Sequence, residues 1–245
     1  MTPTCEQYLL LKAALLRGPA GIGAWQAWRT ATSVDTLDSD SQWLLPLLYH
    51  NLHAQGVEPG ELLRYRNVYL HNWYKNNLTL KRAEPAIQVL QRTSRSVVIR
   101  GGAAMAMRYY DALGARPFGP VGVLALAQTR TDDTHSSQAT GDLDVQSSVF
   151  GAGVDEMMAE RATVSAWKAL EYRFLEPADQ LLDICMHKSS WDQRSALFWM
   201  ADSIILLRRQ PDLDLDGVLA VASRLGCAAE MSESLAQITA LSVAG

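Results

Sequence analysis

Cysteine is scarce: Cys5, Cys185 and Cys227 are the only three in 245 residues. They are widely spaced, odd in number and form no CxxC pair. That excludes a disulfide framework and a zinc ribbon, and it predicts buried thiols in a reducing cytoplasm. Long apolar runs are also missing. None approaches the roughly 18 residues needed to cross a bilayer, so no membrane partner is expected. The opening Met1-Thr2-Pro3-Thr4-Cys5-Glu6 lacks the basic start and apolar stretch of a secretory signal. Nor is charge of one sign in excess, with 22 Lys and Arg against 26 Asp and Glu for a net −4. This excludes an extended nucleic-acid surface and leaves room only for a local basic patch. Internal repeats and low-complexity tracts are absent too. What is abundant is core material: 48% hydrophobic against 20% charged residues, enough for one large domain or two small ones tightly joined.

Along the chain, the first ninety or so residues read as helical. A helix carrying Leu9, Leu11, Leu15 and Leu16 stops at Gly18-Pro19. Asp38 to Gln42 offers a capping cluster for a second, which Gly56 closes. A longer segment opens at Glu58-Pro59, and Pro85 is expected to kink it or to start a new helix. The texture changes at Ser94. Ser96 to Ile99 is short and β-branched and runs into Arg100-Gly101-Gly102, which predicts a buried strand and a glycine turn. A helix over Ala103 to Leu113 follows, then strands over Val121 to Leu126 and Leu143 to Phe150, with a polar loop from Gln128 to Thr140 between them. From Asp155 onward the chain is expected to be helical again, with Pro177 starting one helix and Asp212 or Asp214 capping another.

A strand that enters paired glycines at a helix N-terminus makes an anion site. The N–H groups point outward, the dipole favours negative charge, and glycine lets a phosphate approach. Arg100 would add a charged donor. The same two glycines also suit a plain tight turn. Beyond them the order of short motifs is informative: Leu44 to Leu52, Val98-Ile99-Arg100-Gly101-Gly102-Ala103-Ala104, Tyr110, Arg116-Pro117-Phe118-Gly119, Leu143-Asp144-Val145-Gln146, Trp167, Leu175 to Leu182, His187 and Trp199-Met200-Ala201-Asp202. In this order the chain resembles the uncharacterised nucleotidyltransferases of the DNA polymerase β superfamily over roughly residues 40 to 227.

The resemblance implies transfer of a nucleoside monophosphate from an NTP, ATP being the natural choice, to an acceptor, with Mg²⁺ neutralising the phosphates. It implies nucleotide binding at Arg100, Gly101, Gly102 and Arg116. It further implies an Asp-x-Asp pair straight after Arg-Pro-x-Gly and a third acid on a neighbouring strand. Here the paired positions are Pro120 and Gly122, which hold no metal through a side chain. Arg100 replaces the usual lysine, Gln146 the expected histidine, and Asp144 remains. Gly141-Asp142-Leu143-Asp144 offers a substitute: Asp142 and Asp144, two apart on a strand, would face one way and serve as catalytic and metal-binding residues. Alternatively, Asp142 caps a turn and Asp144 is a remnant.

Other polar residues have structural readings beside functional ones. His187 suits a hydrogen-bonded structural histidine, and Asp202 a cap or ion pair. His50 and His53 are three apart on a helix with no third ligand near in sequence. Asp132-Asp133 with His135 reads as solvated. Tyr65, Tyr69, Trp73 and Tyr74, flanked by basic residues, make either a core-facing stripe or a stacking surface. The expected fold is α+β: a minimal nucleotidyltransferase-like mixed sheet at 94–150, between helical regions at 1–93 and 151–245. Three functions follow: a nucleotidyltransferase relative without catalysis that binds or assembles, an active Mg²⁺ enzyme using Asp142 and Asp144, or a helical interaction protein without nucleotide.

Overall fold

The structure, a computed structural model, describes residues 3–127, 137–168, 170–188, 191 and 195–243. Among them it is α+β, as expected. Four helices come first: α1 (Cys5–Leu15), α2 (Gly18–Ala31), α3 (Ser39–Ala54) and α4 (Leu63–Thr93). Then β1 (Ser96–Arg100) leads into α5 (Gly101–Arg108), followed by β2 (Val121–Leu126), β3 (Ser137–Thr140), β4 (Leu143–Gln146), α6 (Ala152–Arg161), β5 (Thr163–Trp167) and β6 (Leu170–Phe174). The chain closes with α7 (Pro177–Met186), α8 (Phe198–Arg209), α9 (Leu215–Arg224) and α10 (Ala228–Val243).

Local chemistry accounts for most boundaries. Thr4 and Gln7 form a reciprocal capping box at α1, Asp38 accepts from the Ser41 N–H at 2.9 Å to start α3, and Asp214 accepts from the Gly217 N–H at 2.9 Å to start α9. Gly56 takes the left-handed φ of +76° just past α3. Pro85, expected to kink the segment or to start a new helix, sits inside one continuous 31-residue helix, so no new helix starts there. Packing overrides the missing N–H here, because Ala83 and Ile87 on either side of Pro85 are both buried against the sheet.

The sheet has six strands in the order β3-β4-β2-β1-β6-β5. The Ser96–Arg100 and Val121–Leu126 strands stand as read from sequence and pair antiparallel, and β4 pairs parallel with β2. Two expectations need correction. The stretch 151–245 is not helical throughout, since β5 and β6 form a hairpin and β6 lies parallel to β1. The strand at Leu143 ends at Gln146 rather than Phe150. The polar loop falls mostly at 128–136, outside the described residues, with Asp132, Asp133 and His135; its last four positions form β3.

Alternation along the strands sends Val97, Ile99, Val121, Val123 and Leu143 to one face, packed on α4, and Val98 and Leu124 to the other. That second face belongs to the larger apolar cluster, which joins residues of α1, α3, α7, α8, α9 and α10. One core therefore runs through all three stretches distinguished in the sequence. No helix among the described residues is long and apolar enough to cross a membrane. Of the three thiols only Cys185 is buried, its pKa pushed up to about 12 chiefly by that burial; Cys5 is exposed, against expectation.

Candidate functional site

Arg100 ends β1, and the register sets Arg100 opposite Gly122 on β2 and Gly122 opposite Asp144 on β4. The three positions form a row across the sheet face that looks toward α7. A Cβ at Gly122 would lie 3.2 Å from the Arg100 carbonyl oxygen, a tight approach to backbone, and 3.5 Å from its Cγ, an ordinary contact.

The Arg100 guanidinium is held at both ends. Its Nε donates to Asp183 Oδ2 at 3.1 Å and its Nη2 to Oδ1 at 2.5 Å, a bidentate pair, while Nη1 donates to Gln146 Oε1 at 2.5 Å. The Gln146 amide in turn donates to Asp144 Oδ2 at 3.2 Å. His187, one turn on from Asp183, brings Nδ1 to 2.9 Å from Asp183 Oδ1, and its ring rests 4.9 Å from that of Phe150. Asp183 is fully buried. Burial would raise its pKa, but the Arg100 charge and the His187 and Arg100 hydrogen bonds outweigh it and hold the carboxyl below its usual range.

Asp142 stands apart from this row. It precedes β4 in a turn opened by Gly141 at φ +57°, and its carboxylate lies 4.0 Å from Arg82 on α4. α4 packs on the opposite sheet face. Asp142 and Asp144 thus look to different neighbours rather than forming a clamp on one strand face. For Mg²⁺, which the resemblance implies, the row and its partners supply the Asp144 carboxylate, the Gln146 amide, the Arg100 guanidinium and the Asp183 carboxylate. Both oxygens of Asp183 are taken by that guanidinium. A hard divalent cation needs several oxygens, and a fixed positive charge beside them opposes it. These residues do not fit it. Among the described residues no group of three or more His, Cys, Asp or Glu side chains is placed to hold a metal.

The glycine turn has its own geometry. Gly101 adopts φ +70°, which a side chain would strain, and the space where its Cβ would point is open. No side chain caps the first N–H groups of α5. Gly102 has a different reason: a Cβ there would meet Arg116 Nη2 at 3.1 Å. Arg116, expected among the nucleotide-binding residues, is placed wholly inside the protein at 0% exposure. Its Nε donates to Asp202 Oδ1 at 3.0 Å and Nη2 to Oδ2 at 2.8 Å, Nη1 donates to the Pro117 carbonyl, and its Cζ lies 3.8 Å from the Phe198 ring centroid. Asp202 also accepts from Tyr110 Oη at 2.6 Å and Trp191 Nε1 at 2.7 Å. Asn76 of α4 pins the intervening loop by donating to the Leu113 and Arg116 carbonyls at 2.7 and 2.9 Å.

Gly102 and Tyr110, both half-buried, thus meet the fully buried Arg116 and Asp202, the four scattered over a hundred residues. Sequence reasoning missed Asp183 and Asn76. Asp183 lay in plain view, four residues before His187 on a helix, at a spacing that brings side chains together. Of the aromatic stripe, Tyr65 is buried beside Trp28, whereas Trp73 and Tyr74 are exposed. No protein-family model matches the chain, and neither a curated protein nor a solved structure does.

Proposed function

We propose that the chain is a nucleotidyltransferase-like protein without transfer chemistry, acting as a binding or assembly protein that takes a phosphate-bearing ligand such as ATP at the Gly101-Gly102 turn. The observation that carries this reading is the Arg100–Gly122–Asp144 row. It is supported by β1 pairing antiparallel with β2 and β2 parallel with β4, around a glycine turn that opens α5. Within the resemblance, Gly122 stands where a metal-binding acid is expected, and the guanidinium laid across it supplies the positive charge that Mg²⁺ would bring. The uncapped α5 N–H groups and the open space at Gly101 favour an anion there. With Arg100 committed to Asp183, that binding is weak and indifferent to Mg²⁺.

Two measurements on the full chain test this. ATP titration followed by the amide resonances of Gly101 and Gly102 should shift both equally with and without Mg²⁺, and labelled nucleotide should not pass to protein, peptide or small alcohol. Strictly Mg²⁺-dependent shifts, or turnover abolished by Asp144→Ala, would overturn the proposal in favour of an active enzyme. Unmoved glycine amides would favour the interaction-protein reading.

A further inference from the structure

Away from that turn, a cleft of about 500 Å³ opens between α1, α3, α8 and the segment after α5. This size lies within the range of about 300–1,000 Å³ common for small-molecule sites. Its charge is one-sided. Arg17, Arg208 and Arg209 line it with the half-buried His50, against one carboxylate, Asp111. Arg209 takes that carboxylate through Nη2 and also donates Nε to the Tyr109 carbonyl at 3.2 Å. Among the described residues, neither Arg17 nor Arg208 meets a carboxylate.

Both arginines are exposed on the cleft rim, and one of them is anchored. Arg208 is anchored through Nη1 to the Leu15 carbonyl at the end of α1, which leaves most of its five donors unused. Burial and then the Arg17 charge lower its pKa. Asn51 braces the same corner by donating to the Ala13 and Leu16 carbonyls at 2.8 and 2.7 Å. Two exposed guanidinium groups with no carboxylate partner, one of them anchored and both beside a braced backbone corner, make a positive rim that suits a dianion. Leu47 and Ile205 add an apolar wall for an organic group beside it.

We propose that this cleft binds a small phosphate monoester, with Arg17 and Arg208 on the phosphate and Leu47 and Ile205 against its organic part. The site is separate from the glycine turn and stands whether or not that turn binds nucleotide. Arginine forks match phosphate oxygens bidentately, and a monoester dianion balances both charges. His50 reports on occupancy. Its ring stacks on Tyr69 at 6.4 Å and 13°, and the titratable groups facing it are Asp111, Arg17 and His53. Burial, with Arg17, holds its pKa below the usual value, and a dianion placed beside it would raise it.

The test uses the full chain with AMP as probe, adenosine and inorganic phosphate as controls, calorimetry for affinity and the His50 ring protons for position. AMP should bind and raise the His50 pKa, inorganic phosphate should raise it too, and adenosine should do neither. Arg17→Gln should weaken AMP by about tenfold or more, the loss of a charge-assisted contact, with the unfolding midpoint of the free protein unchanged. Equal AMP affinity in Arg17→Gln and the parent would overturn the proposal. So would an unmoved His50 at saturating AMP, or adenosine binding as tightly as AMP. AMP shifts confined to Gly101 and Gly102, with His50 still, would overturn this site and leave the proposed function standing.

Discussion

Arg116 and Arg208 face opposite solutions to the same problem. Arg116 is sealed at 0% exposure with its counter-ion Asp202, which is sealed as completely. Around it stand the Pro117 carbonyl, the Phe198 ring and the carboxylate. Arg208 has one carbonyl for company and a second arginine across an open cleft. Arg100 lies between these extremes, at 11% side-chain exposure and paired with a fully buried Asp183. A cation that carries its own counter-ion is part of the fold. One that lacks it, like the exposed Arg208, is left to solvent or to a ligand.

Mutation should separate the three in order. Arg116→Ala leaves Asp202 buried without its charge partner and should cost about 3–5 kcal/mol, read by chemical denaturation. A loss under about 1 kcal/mol would mean the cluster is dispensable and Arg116 is available to a ligand after all. Asp183→Asn should cost less, about 1.5–3 kcal/mol at neutral pH, as expected for hydrogen bonds to a charged group. Its signature is the pH dependence. The folded-state pKa of Asp183 lies below the ordinary 3.8, so its stabilisation is present above that value and lost as pH falls through the folded one. The acid limb of the stability profile should therefore flatten in Asp183→Asn, and an unchanged limb would assign acid sensitivity to another carboxylate. Arg17→Gln stands last, within about 0.5 kcal/mol of the parent. A measurable gain in stability there, from relief of repulsion with Arg208, would sharpen the contrast further.

The strands at Ser96 and Val121 were legible because a buried strand is a short β-branched run between breakers. The caps at Asp38 and Asp214 and the Pro177 start were legible because they depend on neighbours in sequence. The β5–β6 hairpin was not. Leu170-Glu171-Tyr172-Arg173-Phe174 does alternate apolar and charged residues, a strand signal that sequence reasoning missed. β5 carries no such pattern, with Val164 and Ala166 exposed, and the place of β6 beside β1, seventy residues earlier in the chain, is set by no local pattern. At the candidate site the glycine turn and Asp144 were visible. The partner of Arg100 was not, because hydrogen bonding between Arg100 and Asp183 spans 83 residues and no local pattern encodes it. Arg116 carried a motif that signalled importance without saying whether for ligand or for core; only its burial decides.

The bond from Arg208 to the Leu15 carbonyl joins residues 193 apart, which sets a clock on synthesis. At about 5–20 residues per second, roughly 10–40 s pass between the emergence of the first helix and of the side chain that closes its end. During that interval the nascent chain also holds β1 with one edge unpaired, since β6 has yet to be made. An arrested chain ending before β6 should therefore remain open to chaperone capture at both places, one ending between β6 and α8 only at the end of α1, and full release should follow translation of Arg208.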